Sequence, residues 1–335
     1  MDSICILGAG ATGLLLLLLL QEANADLSTV TIIDPHFDGG DLARKWTSVI
    51  SNTPWSKTIN ALQRCCPSLQ ISSPIDPTSL TPLVEIAHLL RTLAAPALKR
   101  VKRLQGRAIR STYDTAANSW TVEVDSGGQR QSVISRKLVL APGGEPRTMD
   151  LPIPSIPLEI ALDADRLKYF VKAGQHSMVF GTMHSGTLVI RNLVSLGARV
   201  TAYYNTDSPF YWDRDGIYDG VKAEAAAIAD DIVAGKIPVT LVSTKDTAKV
   251  IRTSHNAEWV VYAMGFSPRD TIELVVDGSK ISPIVYDGKT GKLPSIPAWG
   301  FGIAYPNRAP DGVHWDVSVA SFLGHMKHQL PNILE

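Results

Sequence analysis

The sequence predicts an α/β fold with two Rossmann-like units of three ββα layers, the second inserted in the first, and a small antiparallel meander. A strand, a glycine turn, a helix and a second strand follow one another at the N-terminus, and the same order returns about 170 residues later. Between the two lies a run of alternating apolar and polar residues, which turn signals divide into short strands. We expect one domain from 1–155 and 271–335 and an inserted domain from 156–270.

The stretch from Ser3 to Asp34 carries the strongest signal. Its apolar strand runs into Gly8, Gly10 and Gly13, which have the GxGxxG spacing, and its second strand ends in an acid. The first glycine permits a tight turn, the second lets the backbone approach a pyrophosphate, and the third lets the helix lie close on the sheet. The helix N-terminus favours phosphate, and Asp34, about 20 residues after the glycines, is placed to accept from a ribose hydroxyl. We therefore predict that the units are dinucleotide-binding domains.

The composition limits the class of partner. The 335 residues are 45% hydrophobic and 19% charged, which is ordinary for a globular protein with a sizeable core. Basic and acidic residues balance at 32 each, which argues against nucleic acid or an anionic membrane as the main partner. The run from Leu14 to Leu20 is interpreted as a buried helix and not as a membrane anchor, because it begins at the glycine turn. We expect a cytoplasmic protein that binds a small-molecule substrate.

Three cysteines occur, Cys5, Cys65 and Cys66, and no CxxC pair is present. The thioredoxin-type dithiol centre is therefore absent. The vicinal pair is more typical of buried thiols than of a redox centre, which is the alternative. The low count suits a reducing compartment.

The rest of the chain alternates helical and extended segments. Residues 51–57 are polar and turn-prone, the apolar spacing predicts a helix over 82–98, and a last helix is expected at about 316–330. The predicted strands of the meander are 107–113, 120–124 and 131–134, and 137–140 follows as a buried strand before a glycine turn.

The second glycine turn is a looser match. Gly181 and Gly186 hold the first and last positions, but Met183 replaces the middle glycine and weakens the case for a closely approaching dinucleotide. The next strand ends at Asn205 in place of an acid, and no arginine or lysine directly follows Tyr203. Two interpretations stay open: a nicotinamide nucleotide site, or a scaffold whose cofactor site was lost or reused.

The whole pattern resembles the two-dinucleotide-binding-domain flavoproteins, which include pyridine nucleotide-disulfide oxidoreductase-like enzymes, thioredoxin-reductase-like enzymes and flavin-containing monooxygenases. The resemblance rests on the two glycine turns, the strand ending in Ala141-Pro142-Gly143, its second copy at Ala263-Met264-Gly265 and the final glycine-rich loop and helix. It covers nearly the whole chain. It implies that the first domain binds FAD, that the second binds NADH or NADPH, and that the C-terminus completes the FAD domain.

The resemblance also assigns residues. The FAD set is Gly8, Gly10, Ala11, Thr12, Gly13, Asp34, Pro35, Trp46, Ala141, Pro142, Gly143, Gly302, Ile303 and Val317. The NAD(P) set is Gly181, Ser185 and Gly186. His184, in the same turn, is the candidate for an acid or base role, and its alternative is a structural turn residue.

Two features depart from the family. First, the family has a Gly-Asp near the C-terminus whose acid contacts the ribityl chain of the flavin, and this chain has Gly300 to Ala304 instead, so a flavin contact there would use the backbone. Second, the paired cysteines of the dithiol branch are absent. Gly39-Gly40 with Trp46, and the segment 51–54, are more similar to the monooxygenase side. No cluster of histidine, cysteine and aspartate has metal-ligand spacing, so we expect no metal.

The leading hypothesis is an FAD-dependent oxidoreductase that uses NAD(P)H to reduce or oxygenate a small organic molecule, because the flavin itself supplies the chemistry. A second hypothesis keeps FAD without a nicotinamide, as an oxidase or a redox-neutral cyclase or isomerase. A third is a non-enzymatic nucleotide-sensing module. The aromatic-rich segment from Pro209 to Tyr218 is a candidate for part of a substrate-binding wall.

Overall fold

The computed structural model describes residues 1–210, 223–269, 272–309, 312 and 315–335. They form two compact units. Unit 1 consists of Met1–Thr47, Pro54–Glu145 and Ser267–Glu335, and unit 2 consists of Ser48–Thr53 and Pro146–Phe266. Both units combine helices with parallel strands, so the predicted α/β class is confirmed.

The elements follow in chain order. The first part of unit 1 contains β1 (Asp2–Leu7), α1 (Ala11–Glu22), β2 (Val30–Asp34), α2 (Asp41–Arg44), α3 (Trp55–Cys65), α4 (Leu83–Leu98), β3 (Lys102–Gln105), β4 (Arg107–Asp114), β5 (Ser119–Ser126) and β6 (Gln129–Leu140), and β7 (Gly144–Pro146) follows at the junction. Unit 2 contains α5 (Leu158–Ala161), α6 (Ala164–Leu167), β8 (His176–Phe180), α7 (His184–Ser195), β9 (Arg199–Tyr204), α8 (Ala223–Val233), β10 (Thr240–Ser243), α9 (Thr247–Ser254) and β11 (Trp259–Tyr262). The chain returns through β12 (Phe266–Pro268), which pairs with β7, to β13 (Glu273–Val276), β14 (Ser279–Ile281), β15 (Ala298–Gly300), β16 (Asn307–Arg308), β17 (Trp315–Asp316) and α10 (Val319–Leu334).

One mixed sheet organises unit 1. Its described strands have the order β14-β13-β4-β5-β6-β1-β2-β3, with β15 also paired to β6. β1 lies between β2 and β6 and is parallel to both, and β15 is parallel to β6 as well. Four carboxyl strand ends therefore meet at one edge, where ligands of such sheets bind. In unit 2, the strands that the structure describes form a parallel sheet in the order β10-β9-β8-β11.

Helix α1 is apolar on all sides because it lies inside unit 1. Its seven leucines, Leu14 to Leu20, are each 2% exposed or less. They pack against the sheet, α4 and α10, which is the environment that an entirely apolar helix requires. The interpretation of this run as a buried helix is confirmed. Within the described ranges, no helix is both long enough and apolar enough to cross a bilayer.

Two glycines allow α1 to approach the sheet. Gly8 has a φ of +109°, and a Cβ there would lie 2.2 Å from the carbonyl oxygen of Ala141. A Cβ on Gly13 would lie 1.9 Å from the carbonyl oxygen of Gly8. Both distances are far shorter than a van der Waals contact, so a larger residue would displace the helix or the strand.

Two local predictions were wrong. The polar segment 51–57 was expected to be a turn, but α3 begins at Trp55, which is 4% exposed and donates through Nε1 to Ser73 Oγ at 3.0 Å. One buried tryptophan removes enough apolar surface from water to outweigh its polar neighbours. The expected break between 131–134 and 137–140 is absent, because Ser135 is fully buried and continues β6 as one strand.

We expect Gly13→Ala to lower the free energy of unfolding by about 3 kcal/mol, because the new methyl group overlaps the Gly8 carbonyl. Gly324→Ala in α10 is the matched control. A Cβ at that position has no protein atom within 4 Å, so the control should gain about 0.5–1 kcal/mol from helix propensity. Urea unfolding of the apoprotein measures both. Equal effects of the two substitutions would contradict the close packing.

Candidate functional site

The N-terminus of α1 lies at the carboxyl edge of the sheet. Its N-cap is Gly10, which has no side chain to accept from the first turn, and the first bond of the helix runs from the Leu14 N–H to the Gly10 carbonyl. The N–H groups of Ala11, Thr12 and Gly13 precede that bond. A helix start of this kind presents donors and the positive end of the helix dipole to an anion.

Gly10 differs from its two companions because no protein atom requires a glycine there. Its φ of −73° is open to any residue, and a Cβ would lie 3.8 Å from the Gly40 Cα and 4.0 Å from the Gly39 carbonyl oxygen, which are ordinary contacts. Gly39 and Gly40 both have positive φ and lie opposite Gly10, with which Gly39 forms an isolated bridge. Three glycine backbones thus face one another without side chains.

Asp34 ends β2 and is 7% exposed. Its Oδ2 accepts from the Ala9 N–H at 2.8 Å, and its Oδ1 accepts from the N–H groups of His36 and Phe37 at 2.8 Å each. The carboxylate therefore holds the glycine turn and the loop after β2 in place. An ionised carboxylate offers about four acceptor positions, so Oδ2 keeps capacity for one further donor.

The C-terminal return reaches the same helix start. The Phe301 N–H donates to the Leu140 carbonyl at 3.0 Å, and the next residue, Gly302, has a φ of +81°. A Cβ on Gly302 would lie 2.2 Å from Thr12 Oγ1, so only glycine lets the return lie against the first turn of α1. Ile303 follows in a short 3₁₀ turn and is half-buried.

Most of the other residues of the predicted FAD set also belong to segments at this edge. Ala141 donates its N–H to the Leu7 carbonyl at 2.9 Å, and Pro142 and Gly143 continue from it. Trp46 is 8% exposed and donates its N–H to the Asp41 carbonyl at 3.0 Å. Pro35 directly follows Asp34.

Val317 is the exception in the predicted FAD set. It is 57% exposed and precedes α10, which begins at Val319 and not near residue 316. Ser318 and Ser321 form a capping box in which each hydroxyl accepts from the other residue's N–H at 3.1 Å. The helix thus satisfies part of its own N-terminus, which leaves fewer N–H groups for an external acceptor.

The turn of unit 2 repeats the steric constraints of the first. A Cβ on Gly181 would lie 2.3 Å from the Ala263 carbonyl oxygen, and a Cβ on Gly186 would lie 1.9 Å from the Gly181 carbonyl oxygen. Gly181 also donates to the Tyr203 carbonyl at 2.8 Å, as Gly8 donates to Ile33 at 2.8 Å. The position that corresponds to Asp34 is therefore Tyr204, one residue before the Asn205 that the sequence suggested.

The middle position of this turn differs from Gly10 in its side chain and not in its backbone. Met183 has φ −77° and ψ −164°, against −73° and −169° for Gly10. Thr182 is 2% exposed and donates its hydroxyl to the Pro209 carbonyl, and Phe210 is 1% exposed. The turn of unit 2 therefore carries the Met183 side chain and a hydrogen bond to the loop at Pro209, whereas the turn of unit 1 carries bare glycine backbone.

His184 and Ser185 are the first two residues of helix α7, next to Met183, and both are half-buried.

His325 lies in helix α10 of unit 1. Its Nε2 forms a hydrogen bond with the Lys289 carbonyl at 3.0 Å, and burial lowers the pKa of its imidazole. Of the segment from Pro209 to Tyr218, residues 211–218 lie outside the described residues, so its role as a substrate wall stays a prediction.

The cysteines are buried free thiols, as the sequence indicated. Burial, with the nearby charge of Glu22 as a smaller cause, raises the pKa of Cys66 to about 12. Burial also raises the pKa of Cys5 far above the ordinary thiol range. Because the thiolate is the reactive form, neither thiol is reactive near neutral pH.

A cluster of charged side chains in unit 1 was not predicted from the sequence. The guanidinium of Arg269 forms ion pairs with Asp41 and Glu145. Arg269 and Asp41 are 228 positions apart, so no local spacing could identify the pair. The only signal in the sequence is that Arg269 follows the glycine at the end of the second copy of the Gly-ended strand.

Comparisons with known proteins agree with this geometry. No protein-family model matches the chain. The chain is similar to monooxygenase AgnR1 of Paecilomyces divaricatus, with 24% identity over 386 residues that span 98% of this chain and 97% of that protein. Among solved structures, it is similar to the bacillithiol disulfide reductase Bdr of Bacillus cereus, with a TM-score of 0.65 and 14% identity over 99% of this chain and 98% of the other. It is also similar to OTEMO in complex with FAD and NADP, with a TM-score of 0.60 and 15% identity over 99% of this chain and 85% of the other.

These matches confirm the resemblance that the sequence predicted. The chain has the fold of the two-dinucleotide-binding flavoproteins. Its similarity to monooxygenase AgnR1 extends over 98% of this chain and 97% of that protein.

We expect Asp34→Asn to lower the free energy of unfolding by about 2 kcal/mol, because an amide nitrogen would face a backbone N–H that now donates to an oxygen. Asp26→Asn is the matched control. Asp26 accepts from the Ser28 N–H at 3.0 Å in an exposed cap, so its loss should stay near 0.5 kcal/mol. Urea unfolding of the apoprotein compares the two. A smaller effect at Asp34 than at Asp26 would contradict its structural role.

Proposed function

We propose that this chain, which has the fold of the two-dinucleotide-binding flavoproteins, is an FAD-dependent oxidoreductase acting on a small organic molecule. The observation that carries the proposal is Gly10. Glycine there has no steric reason inside the protein, whereas Gly8 and Gly13 do. A pyrophosphate that approaches the backbone supplies that reason. The residues at this edge therefore fit the group that the fold implies.

In this proposal, unit 1 is the FAD domain. Its bounds differ from the expected 1–155 and 271–335, because residues 48–53 and 146–155 belong to unit 2 and unit 1 resumes at Ser267. The N–H groups of Ala11, Thr12 and Gly13 would bind the pyrophosphate at the start of α1, next to the bare backbone of Gly10. The free capacity of Asp34 Oδ2 accepts a hydroxyl of the adenosine ribose, while Oδ1 keeps its two backbone donors.

The other end of the cofactor would lie against the return of the chain. Gly302 and Ile303 offer backbone there in place of an acid, next to Thr12. Bound FAD supplies two-electron chemistry, so the chain needs only to hold it, exclude water and place a substrate. Val317 is the weakest member of the proposed set because it is 57% exposed.

The buried thiols bear on the choice of reaction. A disulfide reductase that works through its own dithiol needs reactive thiolates, and Cys5 and Cys66 have raised pKa values. The full-length similarity to a monooxygenase supports oxygenation instead. We therefore favour an NAD(P)H-linked monooxygenase over a dithiol reductase.

A second candidate keeps FAD and dispenses with the nicotinamide nucleotide, as an oxidase or a redox-neutral cyclase or isomerase. The observation that favours it is Met183, which places a side chain at the position of Gly10, together with the bond from Thr182 to Pro209. Anaerobic mixing of the FAD-loaded protein with NADH and with NADPH divides the two candidates. Bleaching of the flavin by either nucleotide supports the first, and failure of both supports the second. Protein that is colourless and takes up no FAD would leave only the non-enzymatic module.

We expect Gly10→Ala to raise the dissociation constant of FAD at least about tenfold, and Gly10→Val to abolish binding, because each side chain fills the proposed pyrophosphate position. Titration of apoprotein with FAD measures both. The apoprotein should unfold as the wild type does, since the alanine Cβ has 3.8 Å of room. Gly324→Ala, in a helix away from this turn, should leave FAD binding unchanged. Wild-type affinity in Gly10→Val would contradict the placement.

We expect Met183→Gly to bind NADPH or NADH about tenfold more tightly than the wild type, because it restores a bare backbone at the second turn. Calorimetric titration of the FAD-loaded protein measures the affinity. The control is Met149→Gly, which removes a methionine that is 39% exposed in the preceding linker. No change in Met183→Gly relative to this control would show that Met183 does not limit the nucleotide.

A further inference from the structure

Arg269 contacts two segments of unit 1 that are far apart in the sequence. Its Nη2 forms an ion pair with Asp41, its Nε lies 3.3 Å from Glu145 Oε1, and its Nη1 lies 3.5 Å from the Pro142 carbonyl oxygen. Its backbone N–H donates to the Gly143 carbonyl at 3.4 Å. One side chain therefore joins the segment around Asp41 to the turn that follows β6.

Both segments carry residues of the proposed FAD site. Asp41 directly follows the two glycines that face Gly10, and its carbonyl accepts from the Trp46 N–H at 3.0 Å. Pro142 and Gly143 follow Ala141, whose carbonyl touches Gly8. Arg269 thus ties the segment that follows Gly39 and Gly40 to the turn after β6, in addition to the bridge between Gly39 and Gly10.

The ion pair is sheltered from water. The side chains of Arg269 and Asp41 are 17% and 15% exposed, whereas the second partner of Arg269, Glu145, has a side chain that is 58% exposed. Arg44 pairs with the same aspartate at 3.6 Å and with Asp38 at 3.0 Å, but its side chain is 32% exposed. A solvated pair contributes little, so Arg44 provides an internal comparison for Arg269.

We propose that Arg269 is a positioning residue of the FAD site, which fixes the distance between the Gly39–Gly40 loop and the Ala141–Gly143 turn. The inference rests on the proposed function, because it assigns the ligand of that site. Arginine suits the role because its planar fork reaches a carboxylate and a carbonyl at once. The ammonium group of a lysine is a single point charge that cannot hold both segments.

The test compares FAD titrations of apoprotein variants. Arg269→Met should raise the dissociation constant of FAD at least about tenfold, which corresponds to about 1.4 kcal/mol. Arg269→Lys should fall between the wild type and Arg269→Met, because it keeps the Asp41 pair alone. The matched control Arg44→Met should stay within about twofold of the wild type.

A double-mutant cycle separates positioning from general destabilisation. If the Asp41 pair carries the effect, Asp41→Asn combined with Arg269→Met should weaken FAD binding no more than Arg269→Met alone. Wild-type affinity in Arg269→Met would overturn the proposal. A lowered thermal midpoint of the apoprotein with unchanged affinity in its folded fraction would also overturn it, because it would show a purely structural role.

Failure of this inference can be distinguished from failure of the proposed function. Wild-type protein that binds no FAD would overturn the proposed function and, with it, the FAD role of Arg269. The anchoring of the loop is then tested without ligand, by the rate of tryptic cleavage after Lys45 in apoprotein. Faster cleavage in Arg269→Met than in the wild type, which keeps the same Arg44-Lys45 sites, supports the anchor, and equal rates exclude it.

Discussion

Both units depend on one steric constraint, the absence of a Cβ where a glycine turn meets the carbonyl of the residue that directly follows a neighbouring parallel strand. The distance from that missing Cβ to the carbonyl oxygen is 2.2 Å at Gly8 and 2.3 Å at Gly181. The constraint fixes where the following helix begins and directs its N-terminus to the carboxyl edge of the sheet. It belongs to the scaffold, so it applies whether or not a nucleotide binds. Two glycines of each motif are therefore evidence of the fold and not of a ligand.

The middle position of the motif has a different meaning. Gly10 and Met183 share one backbone conformation, and that conformation accepts any residue. The backbone therefore does not explain the difference between the units at this position, and in the proposed function the explanation is the ligand that approaches Gly10. The loops opposite the turns differ as well. A Cβ on Gly40 would lie 2.8 Å from the Gly10 Cα, so the loop of unit 1 packs directly on its turn, whereas Pro209 of unit 2 accepts a hydrogen bond from Thr182.

The sequence predicted the parts of the fold that local pattern determines. The strand, turn and helix from Asp2 to Glu22 were readable because apolar period and glycine spacing coincide there. Helix α3 was missed because its start is polar and its stability comes from burying Trp55 in contacts that the local sequence does not contain. In unit 2, the residue equivalent to Asp34 was expected at 205 and lies at 204. The ends of strands are difficult to place from sequence alone, and only the hydrogen bond from Gly181 to Tyr203 shows which residues of the two units correspond.

Asp34 is a residue that the motif predicts correctly, but the motif predicts a ligand contact and not the structural role of its carboxylate. The acid at the end of β2 is expected for a ribose contact, yet three backbone N–H groups already share its carboxylate. The same charge that would bind a nucleoside thus first holds together the turn and loop that would surround it. Arg269 and Asp41 extend this principle to a pair that no spacing rule could predict, since the chain passes through unit 2 before it brings them together. Gly10 is the glycine whose missing side chain the protein does not require, and the charged groups hold the segments around it. The binding properties proposed for the site therefore depend on residues outside the motif that identifies it.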